Sequence, residues 1–109
     1  DGKVALVTGS PGGSRIITAV LQQIVGMLDF SKDVAASVHM PRLHHQWMPD
    51  ETLVEPAMPA QIVEGLRHRG QHVVVRRPAT AINAIAADQH GGWIGAADTR
   101  TRGALAAGY

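Results

Sequence analysis

The chain of 109 residues contains no cysteine. That excludes a disulfide, a thiol nucleophile and any thiolate zinc site, and it fits a reducing or an oxidising compartment equally well. Charge of one sign is also scarce, with a formal net charge of +1, so no general attraction to nucleic acid or membrane is expected. Residues 1–59 hold four Lys/Arg against six Asp/Glu, and residues 60–109 hold six against three. An asymmetry that small is an ordinary solvated surface. No apolar run is long enough for a bilayer. The longest uncharged helical stretch, 16–28, has 13 residues, where about 20 are needed to span. Internal repeats, low-complexity tracts and linkers are absent. So are an initiator Met and a signal peptide, and the chain heads into a strand almost at once from Asp1. It reads as a piece of something longer.

Apolar residues make up 45% of the composition, which disfavours disorder. A single domain of this length buries about 65% of its unfolded surface. Residues 8–15 read T-G-S-P-G-G-S-R between two apolar segments. A strand is expected over 3–8 and a helix over 14–28, where Ile17, Val20, Leu21, Ile24, Val25 and Leu28 recur at helical spacing. Only Thr18, Gln22 and Gln23 offer that helix a polar face, so it should be covered on most sides. A second helix is expected to start at Ser31 as N-cap and to end at Pro41. Residues 41–50 read as irregular and 51–55 as a short strand. A third helix is expected over 59–69, with Pro59 at its first position and Gly70 beyond its end. Strands are expected over 72–76, 81–87 and 93–97, the last two joined by a hairpin loop at 88–92. The tail, 98–109, is small and polar. The order points to a mixed α/β (α+β) layer structure with some antiparallel pairing.

Strand, glycine turn, helix is an arrangement that exposes backbone N–H groups to an anionic oxygen. Gly12 and Gly13 lack side chains to shield those groups. The phosphate-loop and dinucleotide patterns are not met, since no Lys follows the glycines and their spacing is wrong. Ser10 and Ser14 do not sit in G-x-S-x-G, and Ser14 reads as a helix N-cap. The six histidines, His39, His44, His45, His68, His72 and His90, form no ligand spacing, so neither a metal nor another cofactor is expected. His44 and His45 should point in different directions, hydrogen-bond to nearby backbone and pack beside Trp47. Acyl transfer remains coherent, with Gly12 and Gly13 as oxyanion donors, but the chain shows no convincing nucleophile.

T-G-S-P-G-G-S-R-I-I-T, followed by P-R-L-H-H-Q-W-M-P-D, resembles the C-terminal part of the small subunit of γ-glutamyltranspeptidases. The ending, G-A-A-D-T-R through A-A-G-Y, resembles that family's C-terminus, and the likeness covers essentially all 109 residues. The resemblance implies one fragment of an N-terminal-nucleophile hydrolase with an αββα sandwich. It implies a precursor that cleaves itself into two subunits. The new N-terminal threonine would attack the γ-glutamyl amide of glutathione or a related compound, its own amino group acting as base. The γ-glutamyl group would then pass to water or an amino acid.

The same resemblance makes Gly12 and Gly13 the catalytic oxyanion hole. It places the nucleophile and the glutamyl-binding residues outside this chain, since Thr8 and Thr18 match interior positions. The isolated chain is therefore expected to be inactive. Its partners would be the large subunit and the rest of the small subunit, with self-association when those are missing. A periplasmic or secreted parent is expected. Two departures stand out: P-A-T-A-I-N-A-I, where the family often has a glycine before the threonine, and D-T-R, where it usually has D-P-R. Both put local turn geometry in question. The alternatives are a related acylase of the cephalosporin-acylase kind, or a non-catalytic anion-binding module.

Overall fold

The computed structural model describes residues 2–77 and 79–108; Asp1, Pro78 and Tyr109, the residue that closes the C-terminal motif, lie outside the described residues. The elements run β1 (Leu6–Gly9), α1 (Arg15–Leu28), α2 (Val34–His39), β2 (Leu43–His44), β3 (Thr52–Val54), α3 (Ala60–His68), β4 (Val73–Val75), β5 (Asn83–Ala87) and β6 (Trp93–Ala97). They form two three-stranded sheets, ordered β1-β5-β6 and β2-β3-β4. The first is wholly antiparallel, with Leu6 opposite Ala86 and Ala86 opposite Ile94. In the second, β2 and β3 are antiparallel while β3 and β4 are parallel. A parallel pair needs a crossover, and α3 supplies it.

The core lies between α1, α2 and one face of the first sheet. It contains Ala19, Val34, Val38, Ile82, Ala84, Ala86 and Ala96, with Leu6 and Met27 packed against it. The sheet contributes mainly alanines, whose short side chains let the helices sit close to the strands. Period-two burial along β5 sends Ala84 and Ala86 inward and Asn83, Ile85 and Ala87 outward.

Element ends follow local chemistry, with three corrections. The second helix begins at Val34 rather than near Ser31. Its cap is Asp33, whose Oδ1 accepts from the Ala36 N–H at 2.7 Å. Ser31 has φ +51° and lies outside the helix. The span 41–50 is not wholly irregular, because Leu43–His44 pairs with β3. The side chain of Gln22 docks this strand on α1: Nε2 donates to Leu43 O at 2.7 Å and Oε1 accepts from Leu43 N–H at 3.0 Å. Pro59 precedes α3 as its cap rather than occupying the first helical position. Gly70, at φ +83°, follows α3 as expected. Its N–H donates to Arg67 O at 2.9 Å and Gln71 N–H donates to Leu66 O at 3.1 Å, the Schellman closure.

The first helix departs most from its sequence reading. Its buried residues are Ala19, Gln23 and Gly26, while Ile17, Leu21 and Leu28 are more than half exposed. Gln23, placed on the polar face by periodicity, is fully buried. It accepts a hydrogen bond from Thr8 Oγ1 at 2.5 Å, tying α1 to β1. Ala19 and Gly26 pack inward, Val20, Ile24 and Val25 are half-buried, and Ile17, Leu21 and Leu28 face out. The other face of the first sheet is likewise open, with a groove of about 670 Å³ over Val7, Ile85 and Gly95, bordered by Leu105 and Ala106.

Candidate functional site

The turn between β1 and α1 is built from its neighbours inward. Ser10 follows β1; its hydroxyl donates to Pro11 O at 2.7 Å and accepts from the Ala81 N–H at 3.2 Å. Gly12 has φ +138°, and a Cβ there would lie 2.7 Å from Ala79 O and 2.8 Å from Thr80 Cγ2. Backbone conformation and close approach therefore both demand glycine. Gly13, at φ +59°, has nothing among the described residues within 4 Å of the equivalent position.

The carbonyls of the pair start the helix: Gly12 O accepts from Arg15 N–H at 3.2 Å and Gly13 O from Ile16 N–H at 3.1 Å. Among the described residues, no acceptor meets the N–H of Gly12 or Gly13. The structure thus brings both residues into one turn, at the end of α1 where the helix dipole favours negative charge.

Ser14 does not cap α1. It is already helical, at φ −58° and ψ −24°, and makes no side-chain cap bond. Its hydroxyl donates instead to Gln46 Oε1 at 2.7 Å. His44 and His45 diverge as expected. His44 is buried, its Nδ1 2.7 Å from Thr18 Oγ1 and its Nε2 3.0 Å from Gln46 Oε1. His45 Nε2 meets Asp50 Oδ1 at 3.1 Å, and its Nδ1 accepts from the Trp47 N–H at 3.1 Å. Trp47 is 78% exposed, so the expected packing of the histidines beside it is not found. Among the described residues no group of three His, Cys, Asp or Glu could hold a metal ion.

Sequence reasoning missed a buried charge cluster behind the turn. Arg42 Nη2 donates to Asp98 Oδ2 at 2.6 Å, with both side chains 1% exposed. Arg100 Nη1 donates to Asp98 Oδ1 at 3.0 Å, and Arg100 Nε to Glu55 Oε1 at 2.6 Å, with a second bond from Nη2 to Glu55 Oε2. Glu55 Oε2 also accepts from the Arg42 N–H at 3.0 Å.

Burial pushes the Arg42 guanidinium down, opposed by its bond to Asp98. Burial acts to raise the Asp98 carboxyl, but the N–H groups of Arg100 and Ile82 and the two guanidiniums together hold it below the usual carboxylate range. The bond to Glu55 raises Arg100. Arg42 Nη1 reaches Thr80 Oγ1 at 3.1 Å, and Thr80 is the residue that walls Gly12. Position and residue type give little warning of this cluster, whose members are scattered from 42 to 100. The D-T-R departure lies within it, and Asp98 accepts from the Arg100 N–H two residues on at 3.0 Å.

The family model of γ-glutamyltranspeptidase matches residues 1–108. The chain belongs to the γ-glutamyltranspeptidase family. It is 44% identical to a glutathione hydrolase proenzyme of Escherichia coli K12 over all of this chain and 19% of that protein. An acylase ACY 1 proenzyme of Pseudomonas sp. SE83 is 37% identical over 94% of this chain and 18% of its own length. The crystal structure of an acivicin-inhibited γ-glutamyltranspeptidase matches with a TM-score of 0.86 at 40% identity, over 94% of this chain and 56% of that one. The chain therefore spans about a fifth of the curated relatives it matches. Its α+β architecture is part of the N-terminal-nucleophile hydrolase αββα sandwich. These relatives are proenzymes of hydrolases and acylases.

Proposed function

We propose that this chain is a single-domain fragment, the C-terminal portion of the small subunit of a γ-glutamyltransferase/glutathione hydrolase, and that Gly12 and Gly13 are its oxyanion donors. The observation that carries this reading is the glycine turn: two N–H groups without an acceptor among the described residues, at the head of a 14-residue helix. A turn held by its neighbours costs little reorganisation when charge develops on a tetrahedral intermediate.

In this reading the nucleophile is a threonine at the N-terminus of the small subunit, outside this chain. Its hydroxyl oxygen adds to the γ-glutamyl carbonyl carbon and its amino group takes the proton. The carbonyl oxygen becomes the oxyanion facing Gly12 and Gly13. The C–N bond then breaks and the leaving amine takes the proton. Water or an amino acid amine attacks the resulting ester and releases the γ-glutamyl group.

The precursor cleaves itself to free that threonine, and the large subunit and the rest of the small subunit cover the open faces of α1 and of the first sheet. The chain by itself turns over no γ-glutamyl amide. The parent is periplasmic or secreted; within the described residues no helix is long and apolar enough to cross a membrane.

Similarity to an acylase proenzyme favours a second reading, in which the same turn serves acyl transfer on a cephalosporin side chain. Assaying the full-length parent on a γ-glutamyl anilide and on a cephalosporin amide separates the two. Intact mass with N-terminal sequencing of that parent tests the shared mechanism. Two chains, the smaller starting at threonine, support it; one uncleaved chain removes it.

A further inference from the structure

We infer that Gln46 is a positioning residue for the oxyanion turn, holding it through Ser14; the inference rests on the reading of Gly12 and Gly13 as oxyanion donors. The two glycines of the turn differ in their surroundings among the described residues. Ala79 and Thr80 press on Gly12, whereas nothing stands within 4 Å of the Cβ position at Gly13. The next residue, Ser14, is where a second restraint reaches the turn, through its bond to Gln46 across 32 positions.

Donor and acceptor roles around Gln46 have one consistent assignment. Its Nε2 donates to Met48 O at 2.8 Å, which aims Oε1 at Ser14 Oγ and His44 Nε2. The reversed amide would set oxygen against the Met48 carbonyl and lose both acceptor contacts. Oε1 only accepts, so His44 Nε2 carries a proton. In the neutral ring Nδ1 is then an acceptor, and the single proton of the Thr18 hydroxyl goes to it at 2.7 Å rather than to the more distant Arg15 O at 3.2 Å.

Gln46 thus grips the start of α1 twice, directly at Ser14 and through His44 at Thr18. Its own place is held by the chain around it. Met48 N–H donates to Gln46 O at 3.0 Å, and the positive φ of Trp47, +74°, is pinned by the bond of its N–H to His45. Displacing reacting groups by about 1 Å costs up to about 10²-fold in rate, so a support at this distance bears on catalysis without touching substrate.

The test uses the full-length parent with a γ-glutamyl anilide as substrate. Gln46→Leu removes both acceptor contacts and is expected to lower kcat about 10-fold while KM stays within about twofold, because glutamyl binding resides outside this chain. Gln46→Glu keeps an oxygen facing Ser14 and His44 but sets its second oxygen against the Met48 carbonyl, so its kcat is expected to lie between those of Gln46→Leu and the parent. ¹⁵N spectra of His44 should show the Nε2–H tautomer in the parent and in Gln46→Glu, and loss of that preference in Gln46→Leu.

A parental kcat in Gln46→Leu, or an unchanged His44 tautomer in Gln46→Leu, overturns the inference. Should Gln46→Leu fail to fold, Ser14→Ala replaces it: lowered kcat at constant KM supports the inference and parental kcat overturns it. Gly12→Ala, run in parallel, separates the two claims. If it lowers kcat and Gln46→Leu does not, positioning fails alone. If Gly12→Ala leaves kcat intact, the oxyanion reading fails, and the positioning inference falls with it as a statement about catalysis.

Discussion

Arg42 and Asp98 stand 56 positions apart in the chain and meet at 2.6 Å with their side chains sealed from solvent. Asp98 also accepts the Ile82 N–H at 2.9 Å, so the pair joins the end of β6 to the segment that enters β5. Two cations and two anions, Arg42, Arg100, Asp98 and Glu55, close the cluster without net charge.

Asp98→Ala removes the counter-ion of the buried Arg42 guanidinium and leaves the Ile82 N–H without an acceptor. A loss of about 3–5 kcal/mol is expected, read as a lower urea midpoint. Asp98 also carries a pH signature. Its native carboxyl lies below the unfolded value near 4, so its contribution is complete above about pH 4 and is lost as pH falls through the lowered native value. Asp98→Asn should flatten that acid limb, and an unchanged acid profile would count against the assignment.

The two glycines should respond differently to alanine. At Gly12 the added methyl meets Ala79 O at 2.7 Å, and the turn must shift. In the parent enzyme kcat should fall by about 10²–10³-fold, the loss typical of a disabled oxyanion donor. At Gly13 the methyl meets nothing within 4 Å among the described residues, and within this chain the cost is the left-handed conformation, about 1–2 kcal/mol. Equal kcat losses in the two variants would contradict this account.

Gln23 is a buried polar anchor, not a surface residue. Gln23→Leu strands the Thr8 hydroxyl and should cost about 1–3 kcal/mol. Adding Thr8→Val removes the orphaned hydroxyl and should restore part of the loss, which a double-mutant cycle in urea measures directly.

The open faces predict association of the isolated chain. Ile17, Leu21 and Leu28 on α1, and Val7, Ile85 and Trp93 on the first sheet, are about half exposed or more. Apolar surface of that extent drives self-association. Sedimentation should show concentration-dependent oligomers, shifted toward monomer by Leu21→Glu combined with Val7→Lys. A monomer at every concentration would mean these faces do not stick.

Much of the element order was legible because it rests on local rules. Gly70 closes α3, the 88–92 loop closes the β5–β6 hairpin, and α1 and β6 occupy nearly their expected spans. Periodicity put Gln23 on the polar face of α1, whereas it is buried and bonded to Thr8 of β1. Periodicity weighs side-chain hydrophobicity alone, while the sheet beneath offers alanines and admits the small face of Ala19 and Gly26. The cap of α2 went to Asp33 rather than Ser31 because either residue satisfies the capping rule and only the path of the chain chooses.

The sequence by itself determined the family and the strand–glycine–helix turn that holds Gly12 and Gly13, since such a turn is specified by contiguous residues. Tertiary structure alone decided what surrounds that pair: Thr80 against Gly12, Gln46 on Ser14, and Arg42 behind Thr80 with Asp98. Those partners are 32 to 68 residues away from the positions they restrain or are reached through one another. Long-range hydrogen bonds and buried ion pairs depend on where the folded chain carries each group, and no local periodicity encodes that.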